Sequence, residues 1–321
     1  MAYTDAAKPA IHPGSSKFMR IRKTVQKDAK KNWTLYLLVS PVILFYILFH
    51  YWPMYGVLIA FMDFRPAIGM AESPWVGLDH FTRFFNGPFF FRLIRNTFII
   101  NVQLLIFGFP APILLALMMN ELRSQKYKRT VQTITYMPFF LSAIVVVGMI
   151  QDFTLSTGII NDIIYFFGGT RRNLLADASL FRSIFVTQDI WRTVGFGSIV
   201  YLAALANIDQ EQYEAAMIDG AGRFRKLISI TLPGIMPTIV ILLILRMGAM
   251  MTIGFETIML MASPPVYAVG DVIGYYVFRV GIQQGNFSFA AAVGLFNSVI
   301  NFALLITANA ISRRVNETSL W

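Results

Sequence analysis

Few groups in this sequence could do covalent chemistry. Cysteine is absent, which excludes a thiol nucleophile, a disulfide, a Cys-ligated zinc and an iron–sulfur cluster. The three histidines, His12, His50 and His80, are scattered, and no HExxH pair occurs. No GxxxxGK[ST] run is present, so the chain has no P-loop for ATP. Two other sets of polar residues stand out. One is the short loop 207–233. The other is a handful of side chains inside long apolar runs: Gln188, Asp189, Trp191 and Arg192, then Arg246, then Asn297 and Asn301. Gln188 and Arg192 lie four apart, as do Asn297 and Asn301, so each pair shares a helix face. Polar groups at membrane depth are costly and usually face a cavity or one another. Arg246 has the planar fork that grips a carboxylate. The structural alternatives are an Asp189–Arg192 pair, and asparagines that bridge helices beside a small-residue face at Gly294 and Ser298.

The elements that must position these groups are membrane helices. The chain has 321 residues, 56% hydrophobic and only 14% charged, against roughly 25% charged in soluble domains. About 20 apolar residues cross a bilayer. Six such segments are expected, near Trp33–Met62, Asn96–Asn120, Val131–Ile150, Phe181–Ala206, Leu227–Met251 and Phe289–Ile311. An all-α membrane protein follows, with a basic tail at 1–31 and a six-helix domain at 32–321. The first segment exceeds a signal peptide's apolar core and has no cleavage-like site after it. Prolines 41, 53, 110, 112, 138, 233 and 237 predict kinks.

The net charge of +10 would suggest nucleic acid on a soluble domain. Here the basic residues cluster between apolar runs, which indicates membrane orientation and no nucleic-acid partner. The N-terminal tail, the 121–130 connection, the 207–226 loop and the C-terminal tail are basic, which places both termini in the cytoplasm. Arg65, Arg83, Arg92 and Arg95, with Arg171, Arg172, Arg182 and Arg279, fall in the longer loops assigned to the outside. The tail is either a solvated basic segment, with 1–16 mobile, or, over 17–31, a helix lying on anionic lipid. Short interfacial helices are expected at Gly158–Phe167 and Asp271–Val280, and Trp52, Tyr55, Trp75, Tyr275 and Tyr276 suit an aromatic belt or a contact with a partner or ligand at the outer face.

The 207–233 loop predicts helix–turn–helix. Asp209 is an N-cap, with Gln212 completing a capping-box-like pair. A short helix runs to Asp219, with Tyr213, Ala216 and Met217 as an apolar stripe. Gly220 and Gly222 permit a left-handed stop, and Pro233 marks entry to the fifth span. Small residues at Ala215 and Ala216 allow close approach of a partner groove. Glu214 either meets that partner or pairs locally with Arg223 or Arg225.

Glu214-Ala215-Ala216, Gly220, Ile230 and Leu232-Pro233 are seven positions whose spacing resembles the EAA signature of permease subunits of bacterial ABC importers. The family usually has a proline before this helix; here Asp209 takes the cap. Trp33–Phe64, the WVGLDHF run from Trp75, Asn96-Thr97 and the TITYMP run ending at Pro138 extend the likeness over roughly residues 30–321. It points to sugar permeases, and among them to the subunits of alginate and other polysaccharide importers.

The resemblance implies a type I importer fold and a loop that rides in a cleft of a separate ATPase, with contacts from Tyr213, Glu214, Ala215, Ala216, Met217 and Asp219. Gly220 would turn the chain, and Ile230, Leu232 and Pro233 would link it to the bundle. It further implies a second permease subunit, an ATPase dimer that binds ATP and Mg, a solute-binding protein and a saccharide substrate, in the bacterial inner membrane. No cofactor or catalytic residue is expected in this chain. Gln188, Trp191, Arg192, Arg246, Asn297 and Asn301 become candidates for the saccharide path, with Trp191 to stack on a ring and Arg246 to meet a uronate. A secondary transporter would leave the 207–233 signature unexplained, as would a scaffold. A membrane enzyme would need a catalytic constellation that the residues do not supply.

Overall fold

A computed structural model describes residues 28, 30–316, 319 and 320. The expected basic-tail features at 1–27 lie outside the described residues. The chain divides into two units, Met1–Leu58 and Ile59–Trp321.

The first unit is dominated by α1 (Trp33–Tyr46), followed by a wide π-helical stretch, Ile47–Tyr51. α1 is apolar on all sides and buries no residue, as a lipid-facing helix does. Its start is tied by Asp28, which accepts from Asn32 Nδ2 at 2.8 Å and from the Tyr36 hydroxyl at 2.7 Å.

The second unit is helical, and among its described residues the only β-type pairing is an isolated bridge between Met62 and Trp75. Short helices α2 (Gly69–Glu72) and α3 (Asp79–Phe85) precede α4 (Phe90–Gln103) and α5 (Pro110–Asn120), which a π-turn at Leu104–Gly108 joins. Next come α6 (Gln125–Tyr136), α7 (Ala143–Thr154), α8 (Ile159–Phe166) and the long α9 (Ala178–Ala206). α10 (Gln210–Ile218) and α11 (Arg223–Lys226) form the loop that leads through a second π-turn, Leu227–Thr231, into α12 (Leu232–Gly248). α13 (Phe255–Met261), α14 (Tyr267–Gly270) and α15 (Ile273–Phe278) fill the next connection, and α16 (Phe287–Asn316) ends the described bundle.

Among the described residues five helical runs are long and apolar enough to cross a membrane: Trp33–Phe61, Phe90–Asn120, Ala143–Phe166, Arg223–Gly248 and Phe287–Arg314. α9 is 29 residues long but less apolar, because it carries Arg182, Asp189 and Arg192. It is nevertheless central, packing on α5, α6, α12 and α14. The expected third span, Val131–Ile150, is corrected. Pro138 opens a 3-10 turn at Met137–Phe140, Leu141 and Ser142 are extended, and Ser142 caps a new helix by accepting from Val145 N. The break sits in an apolar stretch, so hydropathy alone does not reveal it. The expected fifth span also ends early, at Gly248.

The prolines bend the chain in a specific way. Proline cannot donate to the carbonyl four residues back and collides with it. For Pro53, Pro110 and Pro233 that carbonyl belongs to Phe49, Ile106 and Ser229, each inside a π-turn. The wider turn moves the hydrogen bond to the fifth residue, as in Phe109 N to Leu104 O at 2.9 Å.

Three buried clusters hold the second unit. One joins α4, α7 and α9 to the 253–278 segment through Ile100, Val147, Phe181, Phe185 and Ile258. A second joins α3, α4, α15 and α16 through Phe84, Leu93, Ile273 and Phe289. The third, at the other end, gathers Ala116, Tyr201, Leu205, Ile208 and Ile235 under the α10 loop.

Candidate functional site

The α10 loop is built from local rules. Asp209 caps α10, but its carboxylate accepts from Glu211 N at 3.0 Å, and Gln212 completes no capping box. The helix ends in a Schellman turn: Ala221 N donates to Ala216 O at 2.8 Å and Gly220 N to Met217 O at 3.1 Å. Gly220 has φ +74°, a left-handed conformation that costs an L-residue roughly 1–2 kcal/mol. Gly222, expected to be left-handed too, is instead the extended N-cap of α11.

The two faces of α10 differ. Tyr213 packs inward on the third cluster, and its hydroxyl meets Thr231 Oγ1 at 3.0 Å. Ile230 packs on the same cluster, while Leu232 and Pro233 form the first turn of α12. The loop is thereby fastened directly to a membrane helix. Around the rest of the loop Glu214, Ala215, Met217 and Asp219 are exposed, with Ala216 half-buried. Glu214 forms no ion pair with Arg223 or Arg225. Ile218 and Phe224 are 88% and 74% exposed, a large apolar offering on a polar loop, and neither was singled out from sequence. Their signal was available: an isoleucine and a phenylalanine flank the Asp-Gly-Ala-Gly turn.

The intramembrane residues separate into three settings. Gln188 and Trp191 line a groove of about 350 Å³ between α9 and α7, with Met149, Ile150 and Thr187. Gln188 is buried, and its Oε1 has no partner. Asp189 lies within the fields of Arg246 and Arg192, yet none of the three forms a direct ion pair, so the expected Asp189–Arg192 pair is not made. Arg192 Nε and Asn297 Oδ1 are likewise buried without a partner. Buried polar atoms normally find one; Asn101 Oδ1 and Gln103 Oε1 on α4 are in the same condition. Asn301 differs. Its Oδ1 accepts from Met251 N at 2.8 Å and its Nδ2 donates to Thr252 Oγ1 at 3.0 Å, so its amide holds the turn after α12. Gly294 meets no neighbour within 4 Å, and the expected Gly294–Ser298 packing face is unfilled within the chain.

The connections at the end opposite the α10 loop form a polar lock. Asp271 is fully buried between Arg92 at 2.8 Å and Arg279 at 2.6 Å. Asn96 donates to the carbonyls of Ala268 and Asp271 and accepts from Arg182 at 2.8 Å. Arg182 and Arg95 donate to Val269 O and Ala268 O. Arg65 pairs with Asp63, Arg171 with Asp162 and Arg172 with Asp177. The arginines that ran against the charge pattern are therefore, with one exception, held by acceptors. The short helix expected at Gly158–Phe167 is found as α8, which continues the apolar run that starts at Ala143. The one expected at Asp271–Val280 is instead packed inside, and Tyr275 is buried rather than in a belt. Burial, reinforced by the hydroxyl of Tyr267 at 3.4 Å, pushes the Tyr275 phenol up to about 12.

Comparison with known proteins agrees with this architecture. Residues 108–317 match the model of the family described as binding-protein-dependent transport system inner membrane component. The chain is 47% identical over 293 residues to Protein LplB of Bacillus subtilis (strain 168), covering 91% of this chain and 92% of the relative. It is 39% identical over the full length of both chains to the polygalacturonan/rhamnogalacturonan transport system permease protein YteP of the same organism. A solved chain from a bacterial ABC transporter that imports the acidic polysaccharide alginate superposes with a TM-score of 0.85 at 41% identity, covering 91% of this chain and 99% of that one. With the family model matched over most of the chain and relatives of this identity along nearly all of it, the chain belongs to the inner-membrane components of binding-protein-dependent transport systems.

Proposed function

We propose that this chain is one of two permease subunits of an ATP-driven importer of acidic oligo- or polysaccharides in a bacterial inner membrane. The observation that carries the reading is the likeness along nearly the whole chain to two systems of similar substrate chemistry, one for alginate and one for polygalacturonan/rhamnogalacturonan. Carboxylated sugars unite them. A solute-binding protein delivers the saccharide, as in the alginate transporter solved with a pentasaccharide-bound periplasmic protein. Gln188, Trp191, Arg192, Arg246 and Asn297 contribute to the path, with Arg246 and Arg192 opposing the carboxylates.

Both termini and the α10 loop lie in the cytoplasm. The exposed face of α10, with Met217, Ile218 and Phe224, docks in a cleft of an ATPase dimer that binds ATP and Mg. Tyr213, through Thr231, passes its movement to α12. An importer of neutral complex sugars is the second reading, supported by the likeness to arabinooligosaccharide permeases at 29% identity.

Purification in mild detergent with mass spectrometry tests the assembly. Wild type should bring down a P-loop ATPase and a second permease. Ala216→Trp should lose the ATPase and keep the permease. Absence of any ATPase from an intact membrane complex would overturn the importer reading. ATPase activity that rises with neutral sugars and not with oligouronates, both presented by the binding protein, would select the second reading.

A further inference from the structure

Arg83 is the loop-side arginine without an acceptor. Its guanidinium carbon lies 5.0 Å over the ring of Phe289. Among the described residues it makes no ion pair and no hydrogen bond, although α3 carries it on an exposed face. A cation–π contact engages the charge of a guanidinium without using a hydrogen bond, so its N–H donors stay available to a carboxylate.

A cavity of about 300 Å³ opens beside it, within the size range of small-ligand sites. Phe84, Phe89, Phe90 and Tyr276 supply aromatic wall, and Gln284 stands at the edge. The Tyr276 hydroxyl and the Gln284 amide also have no hydrogen-bond partner among the described residues. Asn286, by contrast, is committed, accepting from Phe289 N at 3.3 Å as α16 begins. A free cationic fork, a free hydroxyl and a free amide thus surround aromatic surface. Arg92 lies 4.6 Å over Phe89 and Arg279 5.9 Å over Tyr276, so further cations stand beside the same rings; a neutral apolar ligand would use only the rings, and a bare anion only the polar groups. A sugar ring bearing a carboxylate satisfies both.

We propose that this cavity is a subsite for a uronosyl residue, at the end of the bundle away from the α10 loop and apart from the intramembrane groups around Gln188 and Arg246. Arg83 holds the carboxylate, Phe89 and Tyr276 meet the ring, and Gln284 with the Tyr276 hydroxyl takes ring hydroxyls. The site rests on the acidic-saccharide reading and gives it an entry point: chains are captured at the mouth before they reach the membrane interior.

The test is equilibrium binding of a short oligouronate to the assembled permease–ATPase complex, without binding protein, in discs of zwitterionic lipid. Arg83→Ala should weaken the site about tenfold, the loss of one charge-assisted contact. Gln284→Trp, which fills the cavity without touching the arginine, should remove the same site. Both positions are exposed, and ATPase activity in the absence of saccharide checks that the variants are assembled. Unchanged binding in both variants overturns the subsite. Competition by inorganic phosphate at equal concentration also overturns it, in favour of a general anion site. If oligouronates presented by the binding protein still stimulate the wild-type ATPase in either case, only the subsite falls. If wild type neither binds oligouronate nor responds to it, the acidic-saccharide reading falls as well.

Discussion

At the scale of single residues, burial turns small contacts into large ones. Asp271 is fully enclosed with an arginine on each side. Removing its charge leaves two partly buried cations unopposed, and breaking a buried pair costs about 3 kcal/mol or more. Asp271→Ala should therefore lower the thermal midpoint of the detergent-solubilised complex by several degrees, more than Asp63→Ala, whose pair with Arg65 is exposed. Asn301→Ala should cost about 1–3 kcal/mol, because it strands Met251 N. A transport defect without any loss of stability would return Asn301 to the path. Polar residues within apolar runs were legible in the sequence, since their types stand out there. Which of them are satisfied was not legible. Asn297 and Asn301 share a face and residue type, yet one holds a turn and the other keeps a buried oxygen open.

At the scale of elements, close approach and turn chemistry decide behaviour. A Cβ on Gly195 would lie 2.0 Å from Thr135 O, so α9 and α6 touch through backbone. Gly195→Ala must push the helices apart, and about 1–3 kcal/mol of destabilisation is expected, read as a lower thermal midpoint and reduced recovery from membranes. In the α10 loop, Gly220→Ala strains the left-handed residue by roughly 1 kcal/mol. The expected outcome is weaker ATPase retention with an unaltered bundle, measured as the ATPase-to-permease ratio after purification. The α10 cap and the turn at Gly220 followed from residue types alone. The break at 137–142 did not, because hydropathy is indifferent to whether an apolar stretch is one helix or two. The π-turns were foreshadowed by prolines, but proline also sits within ordinary helix at Pro41 and Pro237, so the tertiary setting selects the wide turn.

At the scale of the whole molecule, the two ends of the second unit differ in construction. One end presents the α10–α11 loop with exposed Met217, Ile218 and Phe224, fastened to α12 through Tyr213 and Thr231. The other is a lock of arginines, Asn96 and Asp271. The proposed coupling would use such a contrast, with a joint at the α10 loop and a hydrogen-bonded frame at the other end. Tyr213→Phe tests the joint. It keeps the packing and removes the hydroxyl contact, so ATPase should still co-purify while saccharide-stimulated hydrolysis falls several-fold. Equal stimulation would show that packing alone carries the coupling.

The sequence by itself determined the class of the molecule and the helix–turn–helix form of the 207–233 loop. Composition and apolar run length fix membrane helices because the bilayer demands about 20 apolar residues per crossing. The 207–233 spacing could be read because caps, left-handed glycine and proline act over a few residues. Tertiary structure decided what depends on distant neighbours. It determined which acceptors hold the loop arginines, across as many as 179 residues of sequence for Arg92 and Asp271. It also determined that Tyr275 is core and that Arg83 alone among those arginines is left open. Hydrogen bonds and ion pairs form between groups brought together by packing, and no local pattern of residue types records which donor will meet which acceptor.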